Sequence, residues 1–241
     1  MGSGKYSSLS GAIAARLQLS VISNNLANVN TPGFKKENVH FESMFQEQLQ
    51  TGMGKGTNFS RIKGTSTDFS QGNLTLTGAD LDFGIDGEGF FKVAGEEGFK
   101  YTRSGNFKLL EDGSLVTLSG EQVIGENGPV NLPSSMVYVD SEGIARDDDG
   151  EEVGRLTLYI LPDPRDLEKR GNNLWVYRGE GQDEPLIGGK IRQGYQESSN
   201  VSPMRSMTNL IEVQRHFQGN QQSLKAYGDI SEKTNEIGQI S

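Results

Sequence analysis

Cysteine is absent from the sequence, which excludes a disulfide framework, a thiolate nucleophile and a thiolate-bound metal. Histidine is nearly absent: only His40 and His216 occur, in unrelated contexts, and neither sits beside a nucleophile-elbow pattern. No His-based cluster can be assembled from them. No apolar run approaches the roughly 20 residues needed to span a bilayer. The first residues do not read as a signal peptide either, because Ser and Gln interrupt their spaced apolar positions. Taken alone, these lacks describe a soluble cytoplasmic protein without membrane insertion. Net positive charge is missing too: the balance is −9 and the pI about 4.9, which argues against nucleic acid as a partner.

The acidity is unevenly placed. Residues 1–36 contain Lys5, Arg16, Lys35 and Lys36 and no acid, while residues 195–241 are close to neutral. The negative charge therefore belongs to the central part. Only 33% of the residues are hydrophobic and 32 are glycine, so turns, strands and extended segments should be abundant. A length of 241 residues suffices for a real core in one large or two small domains.

Both ends carry a helical period. Ala12, Ala15, Leu19, Ile22, Leu26 and Val29 recur at alternating spacings of three and four, an a/d seam that asks for a partner helix. Tyr6, Leu9, Ile13 and Leu17 form a second stripe on the same segment. Two stripes imply two sets of neighbours. A helix packed only on its own domain and a basic membrane-surface helix are the competing readings, and the lack of tryptophan in this segment weakens the second. The helix should stop in Ser23–Lys36, SNNLANVNTPGFKK, where Pro32 biases Thr31 out of the α region and Gly33 tolerates any backbone angle. Asn24, Asn25, Asn28 and Asn30 both donate and accept, and so suit a face shared with neighbouring backbones. At the other end Ser202 can cap and Pro203 suits the first helical position, so a helix is expected from there to about Ile237. Its apolar line runs through Leu210, Val213, Phe217, Leu224 and Tyr227.

Between the helices the periodicity changes. Residues 37–80 read as an extended connecting segment: Phe41, Met44 and Phe45 suggest a short turn packed on the helix, and Thr51–Asn58 (TGMGKGTN) a glycine-rich excursion. From residue 81 to 194 strand signals follow one another. Gly89–Val93 and Phe99–Thr102 form one expected hairpin; Phe107–Leu110 and Leu115–Thr117, joined by Glu111-Asp112-Gly113, form another. Further strands are expected at Met136–Val139, Arg155–Leu161, Leu174–Tyr177 and Lys190–Gln193, with Leu156, Leu158 and Ile160 on one face. The expected fold is α+β. Helices 1–36 and 195–241 pair in a coiled-coil-like domain, and a central antiparallel β domain spans 81–194.

Signs of chemistry are weak. Asp147–Glu152 does not match the alternate-position ligands and distal Glu of a calcium loop, and reads as a solvated acidic turn. Gly84-x-x-Gly87-x-Gly89 is not a dinucleotide fingerprint and lies in no βαβ unit. Paired carboxylates are open to any of the 32 acids, but no pattern selects a pair. No cofactor and no catalytic residue is assigned.

The run SNNLANVNTPGFKK resembles the signature that closes the first helix in the axial proteins of the bacterial flagellum, the rod and hook family. LDFGIDGEGFFKV (Leu81–Val93), YTRSGNF (Tyr101–Phe107), DGSLVTLSG (Asp112–Gly120) and GPVNLP (Gly128–Pro133) are similar to consecutive blocks of the same family. The resemblance thus covers most of the chain; Ser104 stands where the family often has another small residue. The start, Tyr6-x-x-Leu9-Ser10-Gly11-Ala12, and the stretch from Arg192-Gln193-Gly194 through Glu197–Pro203 look more like the proximal than the distal rod subunits, which share nearly all these motifs. The length is too short for a hook subunit with a further outer domain.

The resemblance implies a structural subunit of the basal-body rod, exported through the flagellum's own channel without a cleaved signal. It would polymerise into the helical shaft that carries motor torque. Partners would be the export apparatus, other rod subunits and copies of itself. The expected assembly interface is Leu19, Ile22, Asn24, Asn25, Leu26, Asn28, Val29, Leu210, Val213, Phe217, Leu224 and Tyr227. A trimeric coiled-coil and β adhesin or tail-fibre component is the alternative from another class.

Overall fold

The computed structural model describes residues 2–46, 57–95, 98–133 and 137–239. Its first element is helix α1 (Gly2–Ala27) and its last is helix α2 (Pro203–Gln239). At the start of α2 the carbonyl of Ser202 accepts from the Ser206 amide at 3.0 Å, with Pro203 at the first helical position as expected. The turn after α1 is held by the Thr31 amide on the Asn28 carbonyl at 3.1 Å and by the Phe34 amide on the Thr31 carbonyl at 3.3 Å.

The chain divides into two compact units, each discontinuous in sequence. The helical unit comprises Met1–Ala27, Glu37–Asp68 and Val201–Ser241. In it α1 packs on α2 and on a hairpin of β1 (Glu37–Gln46) and β2 (Thr57–Thr67). A Cβ added to Gly4 would fall 2.5 Å from Tyr227 Oη, and one added to Gly11 would fall 3.0 Å from Asn220 Nδ2. One heptad forward on α1 thus matches one heptad back on α2: the helices run antiparallel, and glycine lets them approach at both points.

This hairpin corrects the expectation of an irregular connector. Phe41, Met44 and Phe45 lie in β1 and not in a short turn. Thr57 and Asn58 open β2, and the rest of the glycine-rich run lies outside the described residues. The reason is a register shift between His40 and Phe41, opposite Gly64 at φ +151°, which switches the side-chain alternation midway and hides the strand period.

The β unit comprises Asn28–Lys36 and Phe69–Asn200, so the end of the Asn-rich motif belongs here and not with the helices. Its strands are β3 (Leu74–Leu76), β4 (Phe83–Asp86), β5 (Phe90–Gly95), β6 (Gly98–Thr102), β7 (Phe107–Leu109), β8 (Leu115–Thr117), β9 (Gln122–Gly125) and β10 (Gly128–Pro129). They continue with β11 (Tyr138–Val139), β12 (Ile144–Arg146), β13 (Glu152–Arg155), β14 (Leu158–Ile160), β15 (Leu167–Lys169) and β16 (Leu174–Tyr177). The last are β17 (Glu184–Pro185), β18 (Lys190–Gln193) and β19 (Tyr195–Glu197). The main sheet runs β15-β16-β6-β5-β9-β8-β7, with β14 also on β5, and every pairing among the described residues is antiparallel. Short ladders β18–β4 and β19–β3 bring the end of this unit back to its beginning.

β5 is covered on both faces. Phe91 and Val93 enter a core with Phe83, Ile85, Phe107, Leu115 and Leu132, whereas Phe90 points to a second core with Tyr101, Tyr159, Leu161 and Trp175. Phe69 and Phe90 meet the Trp175 ring edge-on, at 5.5 and 6.5 Å between centroids. Each such side chain contributes about 1.5–3 kcal/mol by leaving water. The same double coverage corrects the one-face reading of Leu156, Leu158 and Ile160. Leu156 lies in the break between β13 and β14, Tyr159 is buried beside Leu158, and Ile160 is the exposed one.

Candidate functional site

The segment that leaves α1 and the segment that enters α2 are joined through one buried ion cluster. Lys35 Nζ lies 2.6 Å from Glu197 Oε1 and donates to the Ser70 carbonyl at 2.8 Å, with both charged side chains wholly buried. The amide of Gly72 donates to the same Oε1 at 2.7 Å. The guanidinium of Arg103 faces Glu197 Oε2 at 3.5 Å and donates to the Gly87 carbonyl at 2.8 Å, while its plane covers the Phe90 ring. Burial pulls the Arg103 pKa below its ordinary value, and the charges of Glu197 and Glu88 oppose that shift. The group stays protonated at neutral pH. Two cations therefore share one carboxylate away from water, an arrangement that requires the carboxylate.

Backbone contacts support the ions. The amide of Gly33 donates to the Glu197 carbonyl at 2.7 Å. At φ +68° with the Ser104 backbone 2.5 Å from any added Cβ, position 33 admits only glycine without rearrangement. Phe34 is buried beneath the Lys169 ammonium, 4.6 Å from its ring centre. The Lys36 amide donates to Asn200 Oδ1 at 2.8 Å, and Asn173 Nδ2 donates to the Pro32 carbonyl at 3.0 Å. The TPGFKK run is thus an anchor inside the β unit. The sequence marked it as a helix stop, but nothing in it announced the pairing of Lys35 with Glu197.

The expected interface residues fall into three groups. Val213 is buried, and Leu19, Ile22, Leu26, Leu210, Phe217, Leu224 and Tyr227 are half-buried in the helical unit. Asn25 is buried within the chain: its Nδ2 donates to the Glu37 carbonyl at 2.8 Å and its Oδ1 accepts from the Glu37 amide at 2.9 Å, which holds the first residue of β1. Asn24 is exposed; Asn28 and Val29 are half-buried in the β unit, where Thr31 Oγ1 donates to Asn28 Oδ1 at 3.2 Å. The apolar side chains left in solvent are others. Tyr6, Leu9 and Ile13 on α1, and Met204, Met207 and Ile211 on α2, are between 45% and 79% exposed. The first trio was legible as the second stripe; the second trio keeps the i, i+3, i+7 spacing that would have revealed it.

Little here supports chemistry on a substrate. A recess of about 470 Å³ holds Glu126 and Glu142, with Glu126 3.4 Å from Arg155. Among the described residues no group of three His, Asp or Glu is placed to hold a metal ion. Asp147 Oδ1 instead accepts from the Asp149 and Glu151 amides and closes the β12–β13 turn.

A β unit whose two ends are locked together, from which two antiparallel helices with apolar residues in solvent continue, defines a subunit built to assemble. Three family models match in chain order: flagella basal body rod protein over residues 6–35, flagellar hook protein FlgE/F/G D1 domain over 84–151, and flagellar basal body rod FlgEFG protein C-terminal over 192–237. The flagellar basal-body rod protein FlgF of Caulobacter vibrioides is 32% identical over 246 residues, covering all of both chains. FlgG of Bacillus subtilis is 34% identical over 250 residues, with 93% of this chain and 95% of the relative covered. FlgF of Mesorhizobium japonicum is 32% identical over 219 residues, 88% of each. The chain belongs to the family of flagellar basal-body rod proteins. It is a structural subunit of the rod and not an enzyme, and no helix among its described residues is long and apolar enough to cross a membrane.

Proposed function

We propose that the chain is a subunit of the proximal rod, carried out by the flagellar export apparatus and polymerised through its terminal helices. In this reading α1 and α2 pair as an antiparallel coiled-coil-like hairpin that forms part of the inner wall of a tube. Neighbours of the same family and further copies pack on it, and contacts that do not close on themselves propagate the helical assembly. The β unit adds lateral contacts, and the Lys35–Glu197–Arg103 cluster transmits torque between the segments next to both helices.

The observation that carries the reading is that each helix keeps an apolar stripe in solvent after the two have paired. Such stripes on a monomer mark a surface for other chains. The full-length match to a relative named FlgF, and the likeness of Tyr6–Ala12 and Arg192–Pro203 to proximal subunits, support the proximal position.

The absence of cysteine makes a direct test possible. Ser23 is exposed on α1, and a Ser23→Cys chain supplies a single thiol. Basal bodies purified from cells carrying it, cross-linked and resolved by mass spectrometry, should yield adducts with other rod subunits, whose identities fix the layer. Basal bodies that lack the chain would overturn the proposal; adducts confined to distal subunits would move it to the distal rod.

A further inference from the structure

The two exposed stripes do not face each other within one chain. The contacts of Gly4 with Tyr227 and Gly11 with Asn220 set the intrachain register. In that register Tyr6, Leu9 and Ile13 lie across from the region of residues 218–225, whereas Met204, Met207 and Ile211 lie across from residues 20–27. Each stripe sits at a different end of the hairpin. Among the described residues, none covers them well enough to take them out of solvent.

Their spacings match in reverse. Running α1 upward gives steps of three and four (Tyr6, Leu9, Ile13), and running α2 downward from Ile211 gives four and three (Met207, Met204). Laid antiparallel, Tyr6 meets Ile211, Leu9 meets Met207 and Ile13 meets Met204, each within one residue of a common register. This register also brings Lys5 opposite Glu212, both exposed, on a helix that carries no acid in its first turn. Methionine side chains are unbranched and adapt to an aromatic and branched surface. The offset from the intrachain register is about 14 residues, two heptads or roughly 21 Å along the helix axis.

Resting on the assembly reading above, we infer that the partner of the Tyr6–Leu9–Ile13 stripe is the Met204–Met207–Ile211 stripe of a second copy of this chain, displaced by two heptads. Each α1 then lies between its own α2 and that of a neighbour. Since every chain offers one stripe of each kind, the contact is heterologous and open-ended.

The test is a pair of cysteines in the full-length, otherwise cysteine-free chain. Leu9→Cys with Met207→Cys places thiols that one chain cannot join, being more than 20 Å apart by the register, against a disulfide Cα separation of about 4.4–6.8 Å. Oxidation of basal bodies carrying this chain should give a ladder of dimers, trimers and higher forms. Gly11→Cys with Asn220→Cys should close within the monomer and shows that the hairpin has formed. Lys5→Glu should abolish the ladder, and adding Glu212→Lys should restore it. Three results would overturn the inference while leaving the assembly reading intact: no ladder from chains that are present and close the intrachain control; adducts only to other rod subunits; or an equal ladder from Leu9→Cys with Gln214→Cys, one heptad away. Absence of the wild-type chain from basal bodies would instead remove the assembly reading itself.

Discussion

Glu197→Gln isolates the charge of the buried cluster. The amide oxygen keeps an acceptor for the Gly72 amide that now bonds Oε1 at 2.7 Å, but Lys35 and Arg103 lose the one carboxylate between them. With side-chain exposures of 0% for Lys35 and 4% for Arg103, water cannot replace it. Breaking a buried pair and stranding its partner costs about 3–5 kcal/mol. Against a total stability of roughly 5–15 kcal/mol this is a large fraction. At about 2–4 °C per kcal/mol for a chain of this size, the midpoint should fall by roughly 6–20 °C. Trp175, the only tryptophan, lies fully buried in the second core of the β unit, so its fluorescence reports the unfolding of that unit. Lys35→Met sets the comparison. It leaves Glu197 facing Arg103 with charges balanced, and the Ser70 carbonyl still accepts from Asn200 Nδ2 at 3.1 Å. The loss is that of a hydrogen bond from a charged group, about 1.5–3 kcal/mol. The expected order is wild type, then Lys35→Met, then Glu197→Gln. A Glu197→Gln cost below about 1 kcal/mol, or one smaller than that of Lys35→Met, would refute the reasoning that two buried cations depend on this carboxylate.

Gly33→Ala should cost about 2–4 kcal/mol in the same assay, since it combines a left-handed backbone with a Cβ 2.5 Å from the Ser104 backbone. Leu26→Asp, in the half-buried seam of α1, should abolish incorporation into basal bodies while leaving Trp175-reported unfolding within about 0.5 kcal/mol of wild type. The Asp163 carboxyl, held by the Arg165 side chain and amide, should titrate by NMR near about 2, below its ordinary 3.8. Its folded pKa is depressed, so the stabilisation it gives is present above the unfolded value and fades as pH falls toward 2; in Arg165→Ala the midpoint should move back up.

The elements that could be read from the chain were those whose period is unbroken. The 3/4 spacing from Ala12 to Leu26, and Ser202-Pro203 ahead of Leu210, place both helices within a few residues of their observed limits. Asp112-Gly113 between two short apolar runs located the β7–β8 hairpin. The hairpin of β1 and β2 was missed because the bulge at His40 reverses its alternation and a glycine-rich run separates its strands. The exposed apolar stripes of the helices were half legible. Regular spacing names apolar positions but does not say which of them stay in solvent: Leu19 and Leu224 are half-buried, whereas Tyr6 and Met204 are exposed. The ion cluster was not legible at all. Lys35 and Glu197 are far apart in sequence, and a lone lysine or glutamate usually signals a solvated surface. Asn25 shows the same limit, since an amide suited to a neighbour's backbone serves the chain's own Glu37.

The most direct measurement is a density map of purified basal bodies at a resolution that separates helices. The account predicts this chain in the rod with α1 and α2 paired antiparallel in the inner wall, Gly11 beside Asn220, and α1 in contact with the α2 of another subunit. Density placing the chain outside the rod, or in the rod with α1 and α2 apart and the contacts made only by the β unit, would contradict it.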